Sequence, residues 1–540
     1  MLKFTKSRLI VLLALLIFCV SGCAERPRAP HTLRLGGTAD ISSLDPAHAY
    51  DTGSIPYVRI LYRGLVDYGK GADIVPAVAS SWKVSPDGKT YTFKLRNDVR
   101  FHSGRRVVAE DFRYALERIL DPETASDGFT VYSMIDGAKE FSEDRKKPVK
   151  ERRLKHVRGI TVNGDDEIVF KLKYPDVTFM NWMAMPFAYA VPRETVEKWG
   201  NDGLSEHPNG CGPFKLESWV HDRQAHFVKN ADYFDKGLPK CERIELTIGG
   251  DDMLQLMRME VGDRDLLSLE DAPAADFVRL LKDKKWQPLM MHAPMGDTRY
   301  ITLNTEMKPF NKREVRQAMN FAIDRDRIVM LMTRRAQIAR SALPPGTPGY
   351  NPQMKGYAHD PEKARELLKQ GGYPDGFTIT LWYATTVGWH VKAAQSIKED
   401  LKKVGVAVNL KGVTYTELKN VAGTRGKIEM SILGWVQDFP DPSNFLDVLF
   451  NGGKITPTSC QNRAFYSNPQ VNKILDAAYI ERDTKKRLKM YGEAEKMIVD
   501  DAPWVFLFHT ERYYLRQPWI EGFELHPMWS ARYEYVGVNK

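Results

Sequence analysis

The spacing of apolar residues changes character along the chain, and each change predicts an element. At the amino terminus Leu9 to Val20 is an unbroken apolar run of 12 residues. That is too short for a membrane-spanning helix, which needs about 20. Between residues 90 and 96 the pattern alternates, with Tyr91, Phe93 and Leu95 on one face, which predicts a half-buried strand. Pro86-Asp87-Gly88 supplies the turn before it and Asn97-Asp98 ends it. Phe112, Ala115, Leu116, Ile119 and Leu120 then recur at helical spacing, and Asp121-Pro122 stops that helix. Phe377 to Tyr383 reads as a strand. Ala394, Ile397, Leu401 and Val404 line a helix closed by Gly405, and Val406, Val408 and Leu410 alternate again. That order predicts a parallel βαβ unit with a right-handed crossover. Gln470 to Asp501 is predicted to be mostly helical and Val505 to Phe508 a short apolar strand. The aromatic tail from Tyr513 to Tyr535 is expected to pack back onto a core. The pattern describes a mixed α/β protein without internal repeats, long enough for more than one core.

The ends of the first apolar run refine its meaning. Lys3, Lys6 and Arg8 precede it and Ser21-Gly22-Cys23 follows, as in a secretion leader. Small residues before a cysteine at that place resemble a bacterial lipobox. The resemblance implies a signal peptide over 1–22, lipid attachment at Cys23, and a short tether over 23–31. An ordinary leader with an incidental cysteine is the alternative. Loss of the leader lowers the formal net charge from +9 by three. The remaining charges are interspersed, so no nucleic-acid footprint is visible. The basic run from Arg145 to Lys155, broken by Glu151, reads as a solvated surface excursion. Cys211, Cys241 and Cys460 remain in an exported chain. Cys211 and Cys241 precede two predicted strands, and if those strands are neighbours a Cys211–Cys241 disulfide forms and Cys460 stays alone. No C-x-x-C spacing supports a thiolate metal site, and no cofactor is indicated.

Catalytic chemistry finds little support. Gly88-Lys89-Thr90 has the end of a phosphate loop, but Lys83 stands where its first glycine belongs and a strand follows. The chain has no H-E-x-x-H, no G-x-S-x-G and no dinucleotide glycine fingerprint. An enzyme is not expected.

Several long blocks instead resemble the family 5 extracellular solute-binding proteins, the receptors of peptide and nickel ABC importers. The first is Ile74 to Trp82 running through Ser85 to Arg96, Val99 to Gly104 and Ala109 to Phe112. The second is Asn209 to Leu216 with Asn230 to Phe234. The third runs from Leu303-Asn304-Thr305 through Pro309-Phe310 and Val315 to Ala318 to Ala322-Ile323-Asp324-Arg325, and the fourth is Gly434 to Pro442. They are in family order and cover nearly all of the mature chain.

The resemblance implies a two-lobed periplasmic-binding-protein-like fold of class II type, hinged between lobes, with an extra subdomain in the first lobe. The expected boundaries are 32–72, 195–298 and 508–540 for the first lobe, 73–194 for the extra subdomain and 299–507 for the second lobe. It further implies a monomeric receptor, lipid-anchored in the cell envelope, that captures peptides between the lobes and delivers them to an ABC permease. A metal chelate or oligosaccharide receptor of the same fold, or a chaperone-like peptide holder, is the alternative. In peptide-binding relatives the acidic residue after G-W in the fourth block, here Asp438, pairs with the ligand's α-ammonium; its other reading is a loop cap beside proline. Trp435 is expected to wall the pocket or to belong to the core. Dipeptide-binding relatives place an arginine just after the strand that here is Phe377 to Tyr383, but Ala384 to His390 contains none. Trp389 and His390 are expected to line the pocket in its place.

Overall fold

A computed structural model describes residues 29–529 and 531–540. The leader and the Cys23 attachment point lie outside the described residues. Strand Thr32–Gly37 pairs in parallel with Arg243–Ile248, and Gln224–Lys229 and then Phe214–Val220 extend this first sheet antiparallel. Leu33, Leu35, Phe227, Ile244 and Leu246 enter one core from it. The chain's end returns to the same core through Ile520, Phe523, Val536 and Val538, as its aromatic pattern predicts. Trp529 instead enters the neighbouring core. Its Nε1 donates to Asp67 Oδ1 at 2.9 Å, and the Arg59 guanidinium lies 4.4 Å above the ring.

That neighbouring core belongs to an antiparallel sheet in the order Ala79–Val84, Thr90–Leu95, Glu167–Lys171, Ile160–Asn163. Tyr91, Phe93 and Leu95 bury the face that their alternation predicts. Helix Ala109–Leu120 covers it with Phe112, Leu116, Ile119 and Leu120, while Ala115 packs into the first core, and Asp121 ends the helix in an extended conformation.

The largest sheet runs Leu266–Ser268, Trp504–Arg516, Asp297–Leu303, Met430–Val436, Phe377–Ala384, Val406–Val413. Its last two strands are parallel and joined by helix Gly388–Lys402, which is the predicted βαβ unit. Gly405 ends the linker with φ of 87°, a conformation that a side chain strains. Asp297–Leu303 sits between two cores. Ile301 and Leu303 face one, while Tyr300 faces the other and stacks on Trp504 with ring centroids 3.3 Å apart.

The stretch 470–501, predicted to be mostly helical, is two helices, Pro469–Ile480 and Thr484–Asp501, and Asp483 caps the second by accepting from Lys486 N at 2.9 Å. The predicted four-residue strand at 505–508 is 13 residues long, Trp504–Arg516. Beyond Phe508 the sequence turns to His509-Thr510-Glu511-Arg512, so no apolar pattern announces the continuation.

The segment carrying the second sheet also touches the largest sheet's flank. Tyr479 donates its hydroxyl to Asp176 Oδ2 at 2.8 Å, and Arg482 Nη1 donates to the carbonyls of Pro86 at 2.6 Å and Ser85 at 3.4 Å. Trp182 meets Phe439 edge-on at 4.7 Å.

The expected Cys211–Cys241 bridge is corrected by the strand order. Phe214–Val220 and Arg243–Ile248 are not neighbours, because Gln224–Lys229 lies between them. Two strand spacings are roughly 9.5 Å, and a disulfide does not span α-carbons more than about 7 Å apart. Both cysteines are free and buried, each in a different core. Burial pushes both thiols up to about 12, which leaves them unreactive at neutral pH. Thiol titration of residues 29–540, unfolded without reductant, is therefore expected to count Cys211, Cys241 and Cys460 as free; a count of one would restore the bridge.

Candidate functional site

The fourth sequence block forms the end of strand Met430–Val436 and the loop into helix Ser443–Phe450. Two acids in this loop divide its work. Asp441 accepts from Ser443 N at 2.9 Å and Ser443 Oγ at 2.6 Å, which starts the helix. Arg487, from helix Thr484–Asp501, grips the same carboxylate with two bonds of 2.7 and 2.5 Å. Both residues are less than a tenth exposed. A buried bidentate pair of this kind fixes the loop as well as joining two helices.

Asp438 is held differently. Asn444 accepts from Asp438 N at 3.0 Å and donates to Asp438 Oδ2 at 3.1 Å. Trp435 Nε1 donates to the same Asn444 oxygen at 3.0 Å. Trp435 thus stands behind the loop and orients Asn444; it packs against the core that holds Tyr300, and it does not line the cavity. The other Asp438 oxygen, Oδ1, accepts the hydroxyl of Tyr50, which lies 388 residues earlier in sequence. Burial raises the Asp438 carboxyl above the ordinary range, and the bonds from Tyr50 and Asn444 act against that rise. Tyr50 is raised in turn, by burial first and then by the Asp438 charge.

Around this pair lies a cavity of about 240 Å³ walled by Tyr50, Met185, Met295, Asp438, Arg512 and Trp529. A second chamber, of about 530 Å³, is lined by Glu270, Arg299, Arg335, Trp389, Lys392 and Phe508 among others. Both border strand Trp504–Arg516. Phe508 and Thr510 line the chamber and Arg512 lines the Asp438 cavity. Successive alternate residues of a strand share a face, so these three mark one continuous wall.

Trp389 lines the chamber, with its ring 5.2 Å from Phe508. His390 is not among the residues that line it. It is 2 % exposed, its Nδ1 accepts from Ala384 N at 3.2 Å, and burial pushes its pKa down to about 3. A neutral imidazole bonded to backbone ties the strand end to the following helix. Among the described residues no cluster of three or more His, Cys, Asp or Glu could hold a metal ion, and no helix is long and apolar enough to cross a membrane. Sequence reasoning missed Tyr50, Arg299 and Arg512. Tyr50 and Arg512 lie outside the family blocks, and Arg299 sits just before the third.

Residues 73–457 match the model of bacterial extracellular solute-binding proteins, family 5. The chain belongs to that family. It is therefore a solute-binding receptor of the ABC-importer type, a class of transport proteins without enzymatic activity. Heme-binding protein A of Haemophilus influenzae is 29% identical over 495 residues, 89% of this chain and 87% of that protein. The glutathione-binding protein GsiB of Salmonella typhimurium is 28% identical over 471 residues, 86% of each. The solved structure of the periplasmic binding protein DppA from Helicobacter pylori, in complex with peptide STSA, matches with TM-score 0.74 at 28% identity and covers 94% of this chain and 98% of that one. The fold of this family 5 receptor is two-lobed, like that of its structural neighbours.

The Asp441–Arg487 pair should matter for stability and, through the loop, for binding. Replacing Arg487 by Met leaves a buried carboxylate without its partner, which typically costs about 3–5 kcal/mol. The expected outcome is a lower denaturation midpoint in urea with an unchanged slope. A midpoint equal to the wild type would show that the loop is held without the pair.

Proposed function

We propose that this receptor captures peptides between its lobes, binds their α-ammonium at Asp438 and delivers them to an ABC permease while anchored by lipid at Cys23. On this reading residues 32–72, 195–298 and 508–540 form the first lobe, with 73–194 as its extra subdomain, and 299–507 form the second. The observation that carries the reading is the placement of Asp438. Its carboxylate borders a cavity whose walls come from distant parts of the chain, from Tyr50 to Trp529, and Asn444 and Tyr50 aim it. A peptide of any sequence presents one ammonium at a fixed place, so a receptor for many peptides needs one fixed anion. The peptide-bound relative supports the class of ligand. Glutathione, named for another relative, also carries an α-ammonium and satisfies the same anion. Heme has no ammonium and would leave Asp438 without a charged partner.

Removing one member of a charged pair across an interface typically costs about 2–5 kcal/mol, and each 1.4 kcal/mol is a factor of about ten in Kd. Asp438→Ala should therefore weaken binding of the peptide Ser-Thr-Ser-Ala at least about tenfold, and Asp438→Asn should weaken it too, because shape remains and charge does not. Amino-acetylation of the peptide should reproduce the loss on the wild type. Calorimetric titration of ligand-stripped protein checks this. Equal affinity for the free and acetylated peptides would reduce Asp438 to a loop residue and end the peptide reading.

A further inference from the structure

The loop after strand Phe377–Ala384 carries no arginine, yet the structure brings one to it from elsewhere. Arg299, on strand Asp297–Leu303, lies with its guanidinium carbon 5.8 Å from the centre of the Trp389 ring. Its neighbour across the sheet is Gly434. A β-carbon at Gly434 would stand 2.6 Å from Arg299 Nη1, so the bare backbone there is what lets the side chain lie across the sheet toward the chamber. Asp297 holds Arg299 in an ion pair, with Oδ2 2.6 Å from Nη2. The same fully buried carboxylate also accepts from Thr510 N and Thr510 Oγ1, each at 2.8 Å. The anion thus serves three donors, while the arginine has five N–H groups and stays about one-fifth exposed toward the chamber.

The other cations of the chamber are disposed differently. Arg335 Nη1 donates to the carbonyls of Leu269 and Glu270 at 2.7 Å and of Ala272 at 3.0 Å, so it staples a loop. Lys392 is exposed at the chamber's edge. Glu270 is solvent-accessible, but the protein crowded around it raises its pKa, and the charges of Arg512 and Arg299 oppose that rise. Glu270, which lines the Trp389 chamber, therefore lies near both arginines, one from each cavity.

We propose that Arg299 receives an anionic end of the ligand, the terminal carboxylate of a short peptide, with Trp389 as the wall that keeps water from the pair. The inference rests on the peptide reading and extends it: the ligand spans from an anion at Asp438 to a cation at Arg299. A planar guanidinium with free edges suits a carboxylate because two parallel bonds form at once. The aromatic face beside it lowers the local polarity and strengthens the attraction.

The experiment titrates wild type, Arg299→Gln and Gly434→Ala with Ser-Thr-Ser-Ala in its free, carboxy-amidated and amino-acetylated forms. Amidation should weaken binding to the wild type about tenfold or more. Arg299→Gln should bind the free peptide as weakly as the wild type binds the amide, and should not distinguish the two. Gly434→Ala keeps the charge but displaces the guanidinium, so it should lose the same discrimination. Both variants should still respond to acetylation, which shows that the Asp438 end is intact and the protein folded. The proposal is overturned if the wild type binds amide and acid equally while still rejecting the acetylated form. It is also overturned if both variants keep the preference for the free acid. If acetylation has no effect on the wild type, or if no form binds, the peptide reading itself falls and Arg299 loses its ligand with it.

Discussion

Everything in this molecule hangs on one strand. Backbone donors and acceptors buried in a sheet need partners along both edges, and Trp504–Arg516 meets that demand with four different strands. Along one edge it pairs first with Asp297–Leu303 and then with Met290–Pro294; along the other with Ala336–Ile338 and then with Leu266–Ser268. Its beginning supplies Trp504, Val505 and Leu507 to the cores around the βαβ unit. Its end supplies Leu515 to a separate cluster with Leu256, Phe277 and Trp286. Between them Phe508, which still belongs to the first of these cores, and Thr510 line the chamber, and Arg512 lines the Asp438 cavity.

This arrangement explains which features were legible in the sequence. Elements whose burial is decided locally showed themselves: Tyr91, Phe93 and Leu95 alternate because one face of their strand is covered, and Ala394, Ile397 and Leu401 repeat because one helix face is covered. The second half of Trp504–Arg516 stayed hidden because residues lining a polar cleft carry no apolar period. Tyr50 stayed hidden because its role is fixed by a contact 388 residues away. The disulfide was misread for a related reason. Each strand was visible, but the order that puts Gln224–Lys229 between the other two is set by pairing, and pairing leaves no local mark. His390 had the right address and the wrong side: the helix turn that displays Trp389 to the chamber points the next ring inward.

The electrostatics of the cleft follow from its mixed lining. Asp438 and Asp441 are three residues apart, yet one is consumed by Arg487 and the other keeps only uncharged partners. A carboxylate surrounded by neutral donors in a half-buried place is costly to keep ionised, as its raised pKa records. A cationic ligand group relieves that cost in a way that Tyr50 and Asn444 do not. Arg299 is the complement, a cation whose close ion-pair partner Asp297 is already shared with Thr510, with Glu270 as a second carboxylate nearby.

The contact between Arg482 and the Ser85–Pro86 turn has a different kind of consequence. Arg482 touches only main-chain carbonyls there, and every amino acid has one. Drift in the identity of residues 85 and 86 leaves the acceptors in place as long as the turn keeps its shape, whereas a change at 482 to a side chain without an N–H or O–H removes the donor outright. The two faces of this joint therefore have unequal freedom to vary. The turn supplies shape and the arginine supplies the chemistry of the joint.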